Sequence, residues 1–351
     1  MGDGREIARV ARPYVGPGFS AACGALVLGT SLALAGSSSD PPLSRFEYSE
    51  PHMGTTFAIV LYARDSTQAS GAARAAFARI AELDRRLTDY DDDSEAARAA
   101  REAVDRPVRV SDDLYRVLSR ARAMSIRTGG AFDVTIGALT RVWRRARRQS
   151  ELPDPDEQEV ARAASGFALL RLDPEARTIR IAPPGVRFDF GGIAKGDAAD
   201  RALETIRQAG VPRALVAAGG DVAAGAPPPD ARGWHVSIAA FDGRTPPTPA
   251  VTVSHAGVST SGDAEQWVEA DGVRYSHILD PRTGRPLTGR RQATVVAPDA
   301  TTSDMLATAL CVLPAAEAVT LADGMPGTAA MRGTTDGSGP VEWVFSRRWP
   351  R

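Results

Sequence analysis

Three glycine pairs constrain this chain more than any other feature. Gly129-Gly130, Gly191-Gly192 and Gly219-Gly220 each close a stretch of periodic apolar residues. Glycine lacks a Cβ, so such pairs admit turns and close backbone approaches that other residues refuse. Between them the periodicity changes repeatedly. Residues 55–62 are rich in β-branched and aromatic types and predict a strand. Residues 67–87 place Ala73, Phe77, Ile80, Ala81, Leu83 and Leu87 near helical spacing. A helix is expected over 111–128, with Ser111 as its N-cap and the first glycine pair as its stop. The charged run 144–164, with Pro153 and Pro155, predicts a surface excursion. Further strands are expected at 167–172, 178–181, 186–190, 213–218, 234–239, 249–254 and 292–297. Helices are expected at 194–208 and 303–313, and a closing hairpin pairs 328–332 with 341–346 about Asp336-Gly337. Strands and helices mix without strict alternation, so the fold class is α+β rather than a doubly wound sheet.

The N-terminus follows the order of a secretory signal. Arg5, Arg9 and Arg12 give a basic start, Phe19 to Ala35 an apolar stretch, and Ala33-Leu34-Ala35 a small-residue close. A serine-rich linker with Pro41 and Pro42 follows. The stretch is shorter than the roughly 20 residues of a membrane span. Residues 1–45 therefore read as leader or membrane anchor plus linker, and 46–351 as one folded domain. The expected address is periplasm or cell envelope, free or anchored to the inner membrane. A formal net charge of -1 leaves no basic stripe for nucleic acid. The two cysteines, Cys23 and Cys311, exclude a disulfide scaffold and a cysteine-built metal site. Arginine is used almost to the exclusion of lysine, which gives Lys195 weight.

Several segments can carry chemistry. In Phe188-Asp189-Phe190-Gly191-Gly192-Ile193-Ala194-Lys195-Gly196 a strand ends in an acid, glycines turn the chain, and a helix begins. The N–H groups of a helix N-terminus favour phosphate. A lysine in that first turn opposes the helix dipole unless it faces an anion. A plain strand-turn-helix with a surface lysine explains the same residues. Asp304 and Thr308, four apart on a helix, offer hard oxygens suited to Mg²⁺. Without a metal they read as an N-terminal acid and a hydroxyl bonded to its own helix. His277, before the turn Asp280-Pro281-Arg282-Thr283-Gly284, has acid–base capacity near neutral pH or a structural role. Asp133 in Gly130-Ala131-Phe132-Asp133 can accept from a heterocycle, and Phe132 is core or ring contact. The hydroxyls of 258–263 suit phosphate or merely a polar loop. Met53 can lie against a flat ring, and Tyr90 can stack on one.

Taken in order, these segments resemble the FAD:protein FMN transferase family, also called the ApbE family, over about residues 47–346. The resemblance implies an ApbE-like α+β fold with an FAD cleft between sub-lobes. It implies Mg²⁺-dependent transfer of FMN from FAD to a threonine or serine hydroxyl of an acceptor flavoprotein, as a phosphoester with release of AMP. The acceptor would be a redox-complex subunit or a reductase domain. Carried onto this chain, Asp304, Thr308 and the Gly192 carbonyl would hold the metal. Met53, Tyr90, Ala131, Phe132, Asp133, Asp189, Lys195 and Ile278 would line the FAD site. His277 would sit near the pyrophosphate, and His277 and Asp304 are the candidates for the acceptor proton. The chain departs from the family at Asp197 and Phe190, and it lacks the usual lipid-attachment cysteine. An FAD pyrophosphatase and a non-catalytic FAD-binding envelope protein are the competing readings.

Overall fold

Alternation of buried and half-exposed residues along Thr55–Ala63 builds the strand that the β-branched run predicts, and it lies inside a large antiparallel sheet. The computed structural model describes residues 42–350 except 105, 242–243, 264–265 and 337–338. The expected leader falls almost wholly on residues outside the described ones.

The elements run β1 (Ser44–His52), β2 (Thr55–Ala63), α1 (Ser66–Leu87), α2 (Glu95–Glu102), β3 (Val108–Arg109), α3 (Asp112–Arg127), α4 (Gly137–Gln149) and α5 (Pro155–Ala163). Then come β4 (Leu170–Asp173), β5 (Thr178–Ile181), α6 (Ala194–Gln208), β6 (Ala214–Ala218), β7 (Asp221–Ala224), β8 (Trp234–Ser237), β9 (Ala250–Val253) and β10 (Ala256–Gly262). The chain ends with β11 (Trp267–Ala270), β12 (Val273–Asp280), β13 (Arg285–Thr288), β14 (Arg290–Ala297), α7 (Ala300–Val312), α8 (Ala315–Gly324), β15 (Ala329–Thr335) and β16 (Glu342–Phe345). This mixture of helices with mainly antiparallel strands is the α+β class expected.

Eight strands form the central sheet in the order β1-β2-β6-β7-β10-β14-β15-β16. The main core lies on one face, where α1, α3, α6 and α7 pack with Phe57, Ile59, Ile206, Val216, Val295 and Leu310. On the other face the β8–β9 ribbon and Trp349 cover Val258, Met331 and their neighbours. Helix α7 is buried on nearly all sides, so its composition is apolar around the whole circumference. Gly257 of β10 makes room for its start: a Cβ there would come within 2.3 Å of the Ala300 nitrogen. Among the described residues no helix is long and apolar enough to cross a membrane.

Two local expectations need correction, and two features add to the sequence reading. The excursion at 144–164 is mostly helix: α4 buries Leu139, Val142, Trp143 and Ala146, and Asp154 caps α5 from just before Pro155. Residues 186–190 make no strand; they run extended beside residues 134–137, with one parallel bridge from Arg187 to Ile136 and an Asp189 N–H bond to the Val134 carbonyl. The polar stretch 258–263 lies mostly in β10, not in a loop. An unexpected β1 precedes β2 and pairs with it along its whole length, from Ser44 opposite Ala63 to His52 opposite Thr55. Charged Arg45, Glu47 and Glu50 suit its edge position but hide its strand character.

A polar network fixes three helices beneath the site. Asp113 of α3 accepts from Arg79 (2.8 Å) and Arg86 (3.2 Å) of α1, and from Arg116 (2.6 Å). Arg116 grips fully buried Asp197 of α6 with two bonds, at 3.1 and 2.7 Å. Asp197 is thereby a structural anchor in this chain. Burial alone would raise the Asp113 carboxyl, but the bonds from Arg79 and Arg116 outweigh it and hold it at about 2. A depressed carboxyl contributes stability above the unfolded value of 3.8, and that contribution is lost as pH falls through about 2. Asp113→Asn is therefore expected to cost roughly 1–2 kcal/mol at neutral pH, the partners being partly exposed. In urea melts the deficit should fade between about pH 4 and 2; a pH-independent deficit would assign it to packing.

Candidate active site

The second glycine pair turns the chain at the mouth of α6. Gly191 donates its N–H to Asp189 Oδ1 at 2.8 Å, and the N–H groups of Ile193 and Ala194 reach back to the Phe190 carbonyl at 3.0 and 2.9 Å. No side chain caps α6. Its first turn is instead met by α7: the Gly196 N–H donates to Asp304 Oδ2 at 3.1 Å. Only glycine permits this approach, because a Cβ at 196 would lie 2.4 Å from the Ala300 carbonyl oxygen and 2.9 Å from the Asp304 Cβ. Gly192 is equally tight, its missing Cβ falling 2.9 Å from Thr308 Oγ1 and 3.1 Å from Phe132. Gly192, Asp304, Thr308 and Phe132 thus converge from three parts of the sequence.

Lys195, the only lysine of the chain, lies in this cluster. Its ammonium stands 3.1 Å from Asp221 and 3.7 Å from Asp304, and donates to the Gly191 carbonyl at 2.9 Å. Burial would lower its pKa, but Asp221 and Asp304 overcome that and hold it charged. Asp304 is only 2 % exposed. Burial and the Asp221 charge push its carboxyl up to about 7, against the opposing pull of Lys195 and the Gly196 N–H. The site remains short of positive charge even with the lysine in place.

Asp200 of α6 accepts from the N–H groups of Ala300 and Thr301 at 2.9 and 2.8 Å. It thereby fixes the start of α7, the helix that presents Asp304 and Thr308. Ser261 of β10 bonds Thr308 Oγ1 at 3.2 Å, and Ser259 bonds Ser303 at 2.8 Å. The polarity of 258–261 thus serves the β10–α7 contact. Asp200, Asp221 and Ser261 carry roles that sequence reasoning missed. A charge directly after the apolar strand and the Gly219-Gly220 pair is the signal that marks Asp221.

The other residues expected to line the FAD site are held by partners of their own. Asp189 is 3.3 Å from Arg144, which also pairs with Asp89 and lies 4.8 Å over the ring of exposed Tyr90. Met53 and Gly54 both have positive φ (50° and 71°) and form the β1–β2 turn, held by Asp84 through the Met53 N–H at 2.8 Å. Ala131 and Ile278 are buried. Asp133 is buried and accepts from the Thr135 N–H and hydroxyl at 2.8 and 2.7 Å. His277 is half-buried, and its Nδ1 meets the Gln266 carbonyl at 3.1 Å. Donation from Nδ1 leaves Nε2 as the acceptor. Burial, with Arg147 adding to it, lowers its pKa, so the ring is neutral at physiological pH.

Among the described residues no three His, Cys, Asp or Glu side chains form a ready metal cage. An ion held here would rest on the Asp304 carboxylate, the Thr308 hydroxyl and the Gly192 carbonyl, leaving positions open. That oxygen-only, incomplete set fits Mg²⁺, which retains water and takes phosphate oxygens.

The α6–α7 spacing is testable alone. Gly196→Ala is expected to destabilise the fold by about 1–3 kcal/mol through overpacking. A urea melt identical to that of the parent would show that the two helices part freely.

The ApbE family model matches residues 53–332. The chain is 32% identical over 303 residues to the FAD:protein FMN transferase of Treponema pallidum, covering 81% of this chain and 84% of that protein. It is 31% identical to the protein of that name from Vibrio cholerae, covering 82% and 86%. The crystal structure of the ApbE protein of Thermotoga maritima superposes with a TM-score of 0.76 at 29% identity, over 85% of this chain and 96% of that one. With the same fold and a family match spanning its glycine turns, Lys195 and Asp304, this chain belongs to the ApbE family.

Proposed function

We propose that this chain is an FAD:protein FMN transferase that uses Mg²⁺ to move FMN from FAD onto a threonine or serine hydroxyl of an acceptor flavoprotein. The convergence of the Gly192 turn, Asp304, Thr308 and Lys195 at the N-terminus of α6 carries the reading. Its relatives' names, FAD:protein FMN transferase, support it. The leader order at the N-terminus supports an address outside the cytoplasm, in periplasm or envelope.

The chemistry is a phosphoryl-type displacement. The acceptor oxygen forms a bond to the FMN phosphorus, the pyrophosphate P–O bond breaks, and AMP departs with the bridging oxygen. Negative charge grows on the leaving oxygens. Lys195 and the positive end of the α6 dipole face that charge in place, without reorganising. Mg²⁺ bound at Gly192, Asp304 and Thr308 would supply further charge neutralisation. Neutral His277, its Nδ1 engaged by Gln266, presents Nε2 to take the acceptor proton. Asp304 is less suited to that role, since its carboxylate already binds Gly196 and would be committed to the ion. Tyr90, Met53 and the Phe132 segment would hold the flavin nucleotide in line, and much of the rate would come from that positioning.

Two outcomes test the reading. With FAD, Mg²⁺ and an acceptor, mass spectrometry should show acceptor enlarged by FMN and an equivalent of free AMP. Free FMN and AMP with no modified acceptor would make the protein a pyrophosphatase instead. Asp304→Ala should lower transfer by about two orders of magnitude or more, while circular dichroism shows a folded chain. Full activity of that variant at ordinary Mg²⁺ would remove Asp304 from the metal site.

A further inference from the structure

Beside the flavin residues lies a cleft of about 430 Å³ from which the mechanism draws only Tyr90. Of the residues assigned above to FAD, only Tyr90 lines it. Its apolar floor includes Leu87, Ala96, Ala100, Val186, Phe188 and Phe190. Around this floor stand five arginines, Arg101, Arg141, Arg144, Arg148 and Arg187, against two carboxylates, Asp89 and Asp92. The whole chain has a formal net charge of -1, so this excess is local.

The internal partners do not consume that charge. Arg144 is neutralised by Asp89 and Asp189. Arg187 meets Asp92 at 3.3 Å in an exposed pair, which screening leaves weak. Arg101 donates to the Asp92 carbonyl, not to its carboxylate. Exposed Arg141 and Arg148 make no hydrogen bond or ion pair among the described residues. They stand on α4 at positions i and i+7 about Arg144, on one face.

Guanidinium groups on the rim of an apolar floor select a carboxylate-bearing ligand with an apolar body. Position narrows the choice. Arg144 lines the cleft and reaches Asp189, whose Oδ1 accepts from the Gly191 turn. Arg144 thus links the cleft to the Gly191 turn of the site. We propose that this cleft docks the acceptor protein, through a segment whose carboxylates flank an apolar side chain near the hydroxyl to be modified. The inference rests on the transferase reading and adds to it a charge rule for the partner.

The test uses the full chain with FAD and Mg²⁺, and two fluorescein-labelled peptides. In one, glutamates flank a leucine and a threonine; in the other, every glutamate is glutamine. The acidic peptide should bind about tenfold or more tightly than its neutral twin, and the preference should shrink with added salt. Arg141→Glu combined with Arg148→Glu should erase the preference while FAD affinity stays at the parent value. Equal binding of both peptides to the parent, or an undiminished preference in the double variant, overturns the docking site. So does capture of phosphatidylglycerol vesicles with no preference for the acidic peptide. The titration needs no turnover, so it stands apart from the transferase reading, which fails only if no acceptor gains FMN.

Discussion

The close contact of α6 with α7 is the constraint on which the site depends. Gly196 lets the two backbones approach until its N–H meets the Asp304 carboxylate at 3.1 Å. Asp200 fixes the N-terminus of α7 from the same helix, and Gly257 opens room for that N-terminus on the sheet. Each of these is a steric or hydrogen-bonding demand with one solution. Together they place a buried acid and a hydroxyl one turn apart against the Gly192 bend. A helix as apolar as α7 has its depth set by burial, and these polar contacts set its register.

The same logic extends outward from α6. Arg116 reaches from α3 to hold Asp197, and Asp113 gathers arginines from α1 and α3. A buried charge is tolerable only when paired and hydrogen-bonded. The departure at position 197 thus comes with its own compensation in Arg116, and the flavin side of α6 need not change. The residues facing the cleft and those anchoring the helix form separate sets on one element.

Much of this was legible in the sequence. The strand at 55–62, the helices at 67–87 and 194–208, and the glycine turns were readable because periodicity and glycine act locally. The convergence of Gly192 with Asp304 and Thr308 was reachable through the family resemblance, since no local signal joins residues so far apart in sequence. The helix α4 was missed for an identifiable reason. Its arginines suggested a solvated excursion, yet Leu139, Val142, Trp143 and Ala146 follow a helical stripe, and arginine is a good helix former. Residues 186–190 carry strand composition but pair sideways with residues 134–137, a tertiary choice that composition does not encode. The roles of Asp200 and Asp221 are set by distant partners, the start of α7 and Lys195, which no local pattern marks.

Charge balance is the argument for a cation beside a polyanion on the proposed reading. Asp221 and Asp304 share one ammonium, that of Lys195. With only that lysine, burial and the Asp221 charge hold the Asp304 carboxyl well above the usual carboxylate range. A dinucleotide diphosphate arriving alone would add negative charge to a place already short of positive charge. On the proposed reading, Asp304, Thr308 and the Gly192 carbonyl would hold a divalent ion that supplies the missing positive charge. Lys195, tied to Asp221, then remains to face the anion. The α6 N-terminus contributes its partial positive charge in either case, because its direction is fixed by the helix. Binding of ion and substrate should accordingly be mutually reinforcing, each reducing the electrostatic cost of the other.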